Sequence, residues 1–301
     1  MKGKLLNKLK KTNVAYVVLF TILVIYTISL AIPTLWTLLT SLKDYEIYKK
    51  ASVQGDVAEL IGLGNLSLKN YKIAFDVFKV TIFETGATVN ILGMFVNSLL
   101  YGLDCAVVAT LTPCIVSYLC ARYRYKFGRV IYTIVLVVMA LPIVGSLPSE
   151  IQMTKALHLY DNVLGMYVLK ANFLGLYFLV FHAQFKSIAY DYTEAAEIDG
   201  ASDLRIMISI IFPLALGTIS TVFILNFIAF WNDYQTPMIY WPSYPVAAYG
   251  MFQLQKTTFG QAAQMPIKLA GIMLMALPIL IVFAVFNRKV MSNVSVGGIK
   301  G

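Results

Sequence analysis

The sequence predicts an all-α polytopic membrane protein with six transmembrane helices, and three observations carry that expectation. Long apolar runs recur along the whole chain, charged residues are sparse, and those present cluster between the runs. Hydrophobic residues make up 59% of the chain and charged residues 13%, with a mean hydropathy of +0.74. A soluble domain carries roughly a quarter charged side chains, so a very apolar soluble helical protein is disfavoured.

A spanning helix needs about 20 apolar residues. Runs at 14–39, 91–119, 130–148, 162–182, 209–232 and 267–286 meet or approach that length. The third is the shortest and is bounded by Pro142 and Pro148. Pro33, Pro113, Pro213 and Pro278 lie within or at the ends of other runs. In a bundle, neighbouring helices re-satisfy the carbonyls that such prolines free. The first run follows a basic start, as in a signal peptide. It is longer than a signal core and has no small-residue cleavage site after it, so a retained transmembrane helix is expected.

The net charge of +9 is a topology signal, not a nucleic-acid signal, because the basic residues flank the runs. With the N-terminus inside, the inner segments hold Lys2, Lys4, Lys8, Lys10 and Lys11, then Arg122, Arg124, Lys126 and Arg129. Lys186, Arg205, Arg288, Lys289 and Lys300 complete the set. The short outer loops hold only Lys155 and Lys256. Lysine and arginine favour the cytoplasmic side, so both termini are expected in the cytoplasm. Segment 41–90, with Gly62, Gly64 and an amphipathic stretch from Leu68 to Phe83, is expected to form a small outer cap of short helices, too short for an independent domain. The whole of 1–301 is read as a single transmembrane domain.

Metal and redox chemistry find little support. Cys105, Cys114 and Cys120 share one apolar run with no CxxC spacing, and read as small buried hydrophobes. His158 and His182 are the only histidines. No G-x4-G-K-[S/T] phosphate loop occurs, so the chain does not hold ATP by that means. No internal repeat supports an inverted-repeat secondary transporter, and no Ser/His, Asp/Asp or HExxH arrangement supports an intramembrane enzyme.

The loop before the fifth run is acidic: Asp191, Glu194, Glu197, Asp199 and Asp203 stand against Lys186 and Arg205. Tyr192 to Asp199 reads as a short helix, Gly200 permits a sharp turn, and a second helix leads into the fifth run. Adjacent alanines, Ala195 and Ala196, let another surface approach the backbone closely. A Glu-Ala-rich loop is ordinarily an amphipathic connector, but the spacing here is specific. Glu194-Ala195-Ala196, three residues, Gly200, nine residues and Ile210-x-Phe212-Pro213 resembles the EAA signature of ABC importer permeases, with Phe212 in the usual place of leucine.

Further segments resemble the maltose-type carbohydrate permeases, and the shorter of the two permeases in particular. They are Ser41-Leu42-Lys43, Leu66-Ser67-Leu68-Lys69-Asn70-Tyr71, Asn97-Ser98, Ala121-Arg122-Tyr123-Arg124-Tyr125, Trp231-Asn232-Asp233 and the Gly-Gly-Ile-Lys-Gly tail. The resemblance implies a type I importer permease fold, with core helices over about 86–287 and a cytoplasmic coupling loop over about 186–208. It implies a transport subunit of the bacterial inner membrane and not an enzyme. It further implies a second permease, two ABC ATPase subunits that bind ATP and magnesium, and an extracytoplasmic solute-binding protein. No cofactor is expected on this chain. Glu194, Ala195, Ala196, Asp199, Gly200 and Pro213 are the residues it assigns to ATPase coupling.

Charged groups within spans usually face an interior or a cavity. Asn97, Tyr101 and Asp104 fall at i, i+4 and i+7 on one face of the second run. Asn226 and Asp233 are seven residues apart, with Trp231, Asn232 and Tyr234 nearby. Such groups suit a sugar, which is gripped by polar side chains and flat rings. They equally suit interhelical bonding, and for Asp104 both roles stay open. Lys170 and Lys268 read as snorkelling ends without a role. Tyr240 to Pro245 reads as an interfacial aromatic belt or a face for the binding protein. A phosphate or carboxylate cargo would want buried cations, and their scarcity favours a neutral sugar over glycerol phosphate or a uronic-acid oligosaccharide; a polyol is the other alternative.

Overall fold

The computed structural model describes residues 2–64, 66–123, 125–141 and 145–294; Arg124, Pro142 and the tail Gly297 to Gly301 lie outside the described residues. The chain forms α1 (Lys2–Ser41), α2 (Tyr45–Gln54), α3 (Val57–Ile61) and α4 (Lys69–Val77), then a hairpin of β1 (Lys79–Thr81) and β2 (Thr88–Asn90). There follow α5 (Ile91–Arg122), α6 (Lys126–Ala140), α7 (Leu147–Ala156), α8 (Val163–Lys170), α9 (Leu176–Ser187), α10 (Asp191–Ile198) and α11 (Asp203–Ile206). The last helices are α12 (Phe212–Trp231), α13 (Gln235–Tyr240), α14 (Ala247–Lys256) and α15 (Met265–Val294).

Among the described residues, four helical stretches are long and apolar enough to cross a membrane: Tyr16–Ser41, Ile91–Arg122, Asp203–Trp231 and Met265–Val282. Pro33, Pro113 and Pro278 sit inside unbroken helices, as a bundle permits. The third and fourth expected spans differ. The third is the 15-residue α6, after which Pro148 opens a separate helix in its first turn, a position where proline's missing N–H costs nothing. The fourth is split into α8 and α9, because the Asn172 carboxamide accepts the Leu174 N–H at 2.8 Å and closes a local turn instead of a helical one.

The chain divides into two units. One comprises residues 1–78 and 254–274, the other 79–253 and 275–301. In the first, the segments Ser41 to Lys43 and Leu66 to Tyr71 are fastened to each other. Asn70 Nδ2 donates to the carbonyls of Ser41 and Lys43 at 2.8 and 2.6 Å, and the Ser41 and Tyr71 hydroxyls pair at 2.8 Å. Lys43 is 1% exposed, and its ammonium donates to the carbonyls of Glu59 and Gly62 at the end of α3. That binding of a cation to orphan helix-end carbonyls is what makes a buried lysine tolerable here. The short helices start on Asp44 and Asp56, whose carboxylates accept the Glu46 and Glu59 N–H groups.

The second unit is built around α5, which packs along α9 and α12. Its β1–β2 hairpin pairs Lys79 with Asn90, Val80 with Val89 and Thr81 with Thr88, and it was not foreseen. Asn90 then caps α5 by accepting the Gly93 N–H at 2.9 Å. Cys105 and Cys114 are buried and unbonded, as small hydrophobes. The belt reading of the 240–245 loop is corrected for Tyr240 and Trp241, which are 6% and 4% exposed and pack against Tyr101 and Met166 inside the unit, whereas Tyr244 is exposed. Asp161 holds that loop through the Ser243 N–H and hydroxyl at 3.1 and 2.6 Å.

Candidate functional site

Two groups of functional candidates sit at opposite ends of α5. At its C-terminal end, Arg122 is 9% exposed and reaches across to the entry of α10. Its guanidinium donates to the carbonyls of Ile188 and Ala189 at 2.9 and 3.3 Å and to the Thr193 hydroxyl at 3.1 Å, and lies 5.6 Å from the centre of the Tyr190 ring. Burying a charge requires such partners, and here they are the link that leads into the acidic helix and Thr193 in its first turn. In the sequence Arg122 reads as a topology marker and as part of the 121–125 resemblance, and neither gives it this role. Its place in a basic cluster at a helix end concealed this fixing role.

Gly200 ends α10 with φ +76°. The Gly200 N–H bonds to the Glu197 carbonyl at 3.0 Å and the Ala201 N–H to the Ala196 carbonyl at 2.9 Å. That pair of bonds is a Schellman cap, in which the residue after the helix is left-handed and usually glycine. The four-residue step from Ala196 to Gly200 is therefore a helix-stop geometry. A Cβ on Gly200 would meet nothing within 4 Å, so the demand for glycine comes from the backbone.

The two alanines are not equivalent, which corrects the expectation that both offer an approach surface. Ala196 is 6% exposed and packs inward beside Phe185 and Ile206. Ala195 faces out with Glu194, Asp199 and two apolar side chains, Tyr192 at 53% and Ile198 at 86% exposed. Apolar residues three apart in an acidic loop were the available signal for this face. Beyond the cap, α11 runs through a π-helical stretch, Met207–Ile211, into α12, with Pro213 in the first turn. The wider turn gives the Phe212 N–H the Met207 carbonyl, five residues back, and accommodates a proline that would otherwise break the ladder. One 29-residue helix thus runs from Asp203 to Trp231.

Nearer the other end of α5 lies a cavity of about 250 Å³, the space of roughly eight waters. Asn97, Tyr101 and Asp104 all line it, as their common face implies, together with Tyr167, Trp241 and Tyr244. Tyr167 donates to the Asp104 carboxylate at 2.8 Å, and Asn97 Nδ2 donates to the Pro245 carbonyl at 3.0 Å. Tyr101 donates to Asp233 at 2.8 Å, and the Lys170 ammonium stands 3.5 Å from the same carboxylate oxygen. Lys170 also lies 4.7 Å from the centre of the Phe230 ring. It is not an idle span-end lysine. The opposite charge at the end of the fifth run was the signal that paired them. Trp241 Nε1 is buried with no acceptor among the described residues.

The remaining pathway candidates do not line this cavity. Asn226 is buried and donates to the Thr110 hydroxyl at 3.0 Å; Trp231 is 1% exposed and donates to the Met275 carbonyl at 3.1 Å. Both join helices. Asn232 bonds back to Ile228 in its own helix at 2.8 Å, and the Tyr234 ring stacks on Phe252 at 4.4 Å. A flat ring beside an asparagine suited a sugar on composition, but the hydrogen bonds of Asn226 and Trp231 are already taken inside the unit.

Long apolar helices, a cavity that Asn97, Tyr101 and Asp104 of α5 help to line, and a short acidic helix fixed at the other end of α5 describe the membrane subunit of a transport system. The chain belongs to the family of binding-protein-dependent transport system inner membrane components, whose pattern matches residues 114–293. It is therefore a multi-pass inner-membrane transport component. It is similar to the diacetylchitobiose uptake system permease protein NgcG of Streptomyces coelicolor, with 25% identity over 92% of this chain and 86% of that one. The arabinooligosaccharides transport system permease protein AraQ of Bacillus subtilis is 26% identical over 81% and 85%. The trehalose transport system permease protein SugB of Mycobacterium tuberculosis is 25% identical over 90% and 92%. Among solved structures, a bacterial ABC transporter involved in import of the acidic polysaccharide alginate shares the fold, with a TM-score of 0.73 at 19% identity over 92% and 96% of the two chains.

Proposed function

We propose that the chain is one of two permease subunits of an ATP-driven importer for a neutral sugar or oligosaccharide. It supplies half of the translocation path and receives the stroke of a separate ATPase through α10. The observation that carries this reading is the state of α10: anchored to α5 by Arg122, capped by Gly200, and presenting Tyr192, Ala195 and Ile198 outward. A short helix fixed on one side, with Tyr192, Ala195 and Ile198 among carboxylates on the other, suits a groove in a partner. The Schellman turn and the continuous helix from Asp203 to Trp231 then give a stiff route from that groove to the bundle.

The sugar relatives support the cargo class, and the cavity agrees with it. Its lining offers the Tyr101, Tyr167, Trp241 and Tyr244 rings, the Asp104 carboxylate and the Asn97 amide. Lys170, the nearby cation, is neutralised by Asp233, which leaves little to hold a phosphate or carboxylate cargo. ATP and magnesium belong to the partner ATPase, and an extracytoplasmic binding protein delivers the sugar.

The test is co-purification in detergent followed by ATPase assay with binding protein and sugar. An Ala195→Cys variant is expected to cross-link to the ATPase subunit. Glu194→Lys and Gly200→Val are expected to stay in the membrane and lose sugar-stimulated hydrolysis. A complex without an ATPase, or full transport by both variants, overturns the reading.

A further inference from the structure

Two cavities adjoin where α5 gives way to α6. One, of about 530 Å³, is lined by Lys126 and Arg129 from α6 and by Lys186 from α9, with Tyr132 and His182 beside them. The other, of about 380 Å³, is lined by Val116, Leu119, Phe127 and Ile131 and has no charged side chain among the described residues. Cys120, Tyr123, Tyr125 and Gly128 line both, so a cationic compartment and an apolar one share a wall. Gly128 brings α6 against α5: a Cβ there would stand 3.3 Å from the Cys120 Cα.

No carboxylate lines the cationic compartment, and none of its three cations forms an ion pair among the described residues. Lys126, Arg129 and Lys186 are exposed, so water screens their mutual repulsion, and an anion among them gains a salt-dependent attraction. Burial, then Tyr118 and Asp203, holds the Tyr123 hydroxyl above its ordinary range, so the shared wall adds no negative charge there. The compartment's volume is that of a small-molecule site, which runs to roughly 300–1,000 Å³. A soluble anion would use the basic half alone. The apolar half, at the membrane edge of the basic turn, calls for a hydrocarbon chain attached to the anion.

We propose that these compartments bind one anionic glycerophospholipid of the cytoplasmic leaflet, with its phosphate among Lys126, Arg129 and Lys186 and an acyl chain along the groove from Val116 to Ile131. Basic pockets between helices on that side suit lipid headgroups. The site lies beside Lys186 and the entry to α10, so the lipid braces the α5–α6–α9 corner against which that helix is fixed.

The experiment reconstitutes the transporter, with its co-purifying subunits, in nanodiscs of equal phosphatidylglycerol and phosphatidylcholine, and counts retained lipids by native mass spectrometry. The unaltered chain is expected to retain phosphatidylglycerol preferentially. Each of Lys126→Gln, Arg129→Gln and Lys186→Gln is expected to weaken retention roughly fivefold, and the triple variant about a hundredfold. The single variants keep the test decisive if the triple variant does not assemble. Phe127→Ser is expected to weaken lipid retention while soluble glycerol phosphate still fails to displace the lipid. Unchanged preference in the charge variants overturns the proposal. So does displacement by glycerol phosphate with Phe127→Ser silent, which marks a soluble-anion site. Loss of the ATPase subunits with lipid retention intact also overturns it, and marks a protein contact.

Discussion

The two ends of α5 use polar side chains in opposite ways. At the Arg122 end the charge is spent on backbone carbonyls of another segment, so the helix it grips is fixed in place while its far side stays exposed. At the Tyr101 end the polar side chains pair with one another: Tyr167 donates to Asp104, and Tyr101 and Lys170 meet on Asp233, beside a cavity that Tyr101 and Asp104 line. The first arrangement is the one through which the proposed coupling would pass. The second borders a space that a polar solute can enter. A helix that carries both is placed to relate movement at one end to solvation at the other.

Arg122→Met is expected to have the largest effect, because no other described side chain holds the Ile188 and Ala189 carbonyls. Hydrogen bonds to a charged group are worth about 1.5–3 kcal/mol each, so α10 should detach from α5 while the apolar core around Phe185 survives. Expected is a membrane-inserted chain with background sugar uptake and raised protease cleavage between Ser187 and Asp203. Wild-type uptake by this variant would show that α10 is fixed by something else, and the contrast between the two ends would fail.

Most of the bundle was legible in the sequence, and the departures have local causes. Hydropathy located α1, α5, α12 and α15, because their windows are apolar over a full bilayer thickness. It merged α8 and α9, since Ala171 to Gly175 is apolar enough to pass although Asn172 closes a turn there. The motif spacing placed the short α10 helix and its Gly200 turn but assigned both alanines one role, and only burial separates Ala195 from Ala196. Periodicity put Asn97, Tyr101 and Asp104 on one cavity wall. It gave no means of telling that Trp231 and Asn226 spend their hydrogen bonds inside the unit, because their acceptors, Met275 and Thr110, are 44 and 116 residues away.

An intermediate effect is expected at Lys170 and Asp233, whose side chains are 18% and 20% exposed. Lys170→Met leaves the carboxylate with only its hydrogen bonds, and Asp233→Leu strands the ammonium against the Phe230 ring. Each single change is expected to cost about 2 kcal/mol, less than the value for a fully buried pair, read as a lowered melting temperature in detergent. The double variant should recover most of that loss, since apolar replacement of both partners removes both desolvation penalties. Additive losses would show that the two charges act separately, and that the cavity end is not self-neutralised.

Trp241→Phe is expected to have the smallest effect on stability and to say most about the cavity. The indole N–H is buried and unbonded among the described residues, so removing it relieves a desolvated donor, a gain of about 1 kcal/mol. The smaller ring gives up packing of similar size, and the net change should fall within about 0.5 kcal/mol. The donor becomes consequential only when a polar solute occupies the cavity and offers it a hydroxyl. Uptake measured against sugar concentration should then show KM raised several-fold with the maximal rate held, since what is lost is a binding contact and not the coupling stroke. An unchanged KM would place the sugar's route elsewhere and leave the Tyr101 end of α5 as internal bracing, with the working part of this chain confined to the Arg122 end.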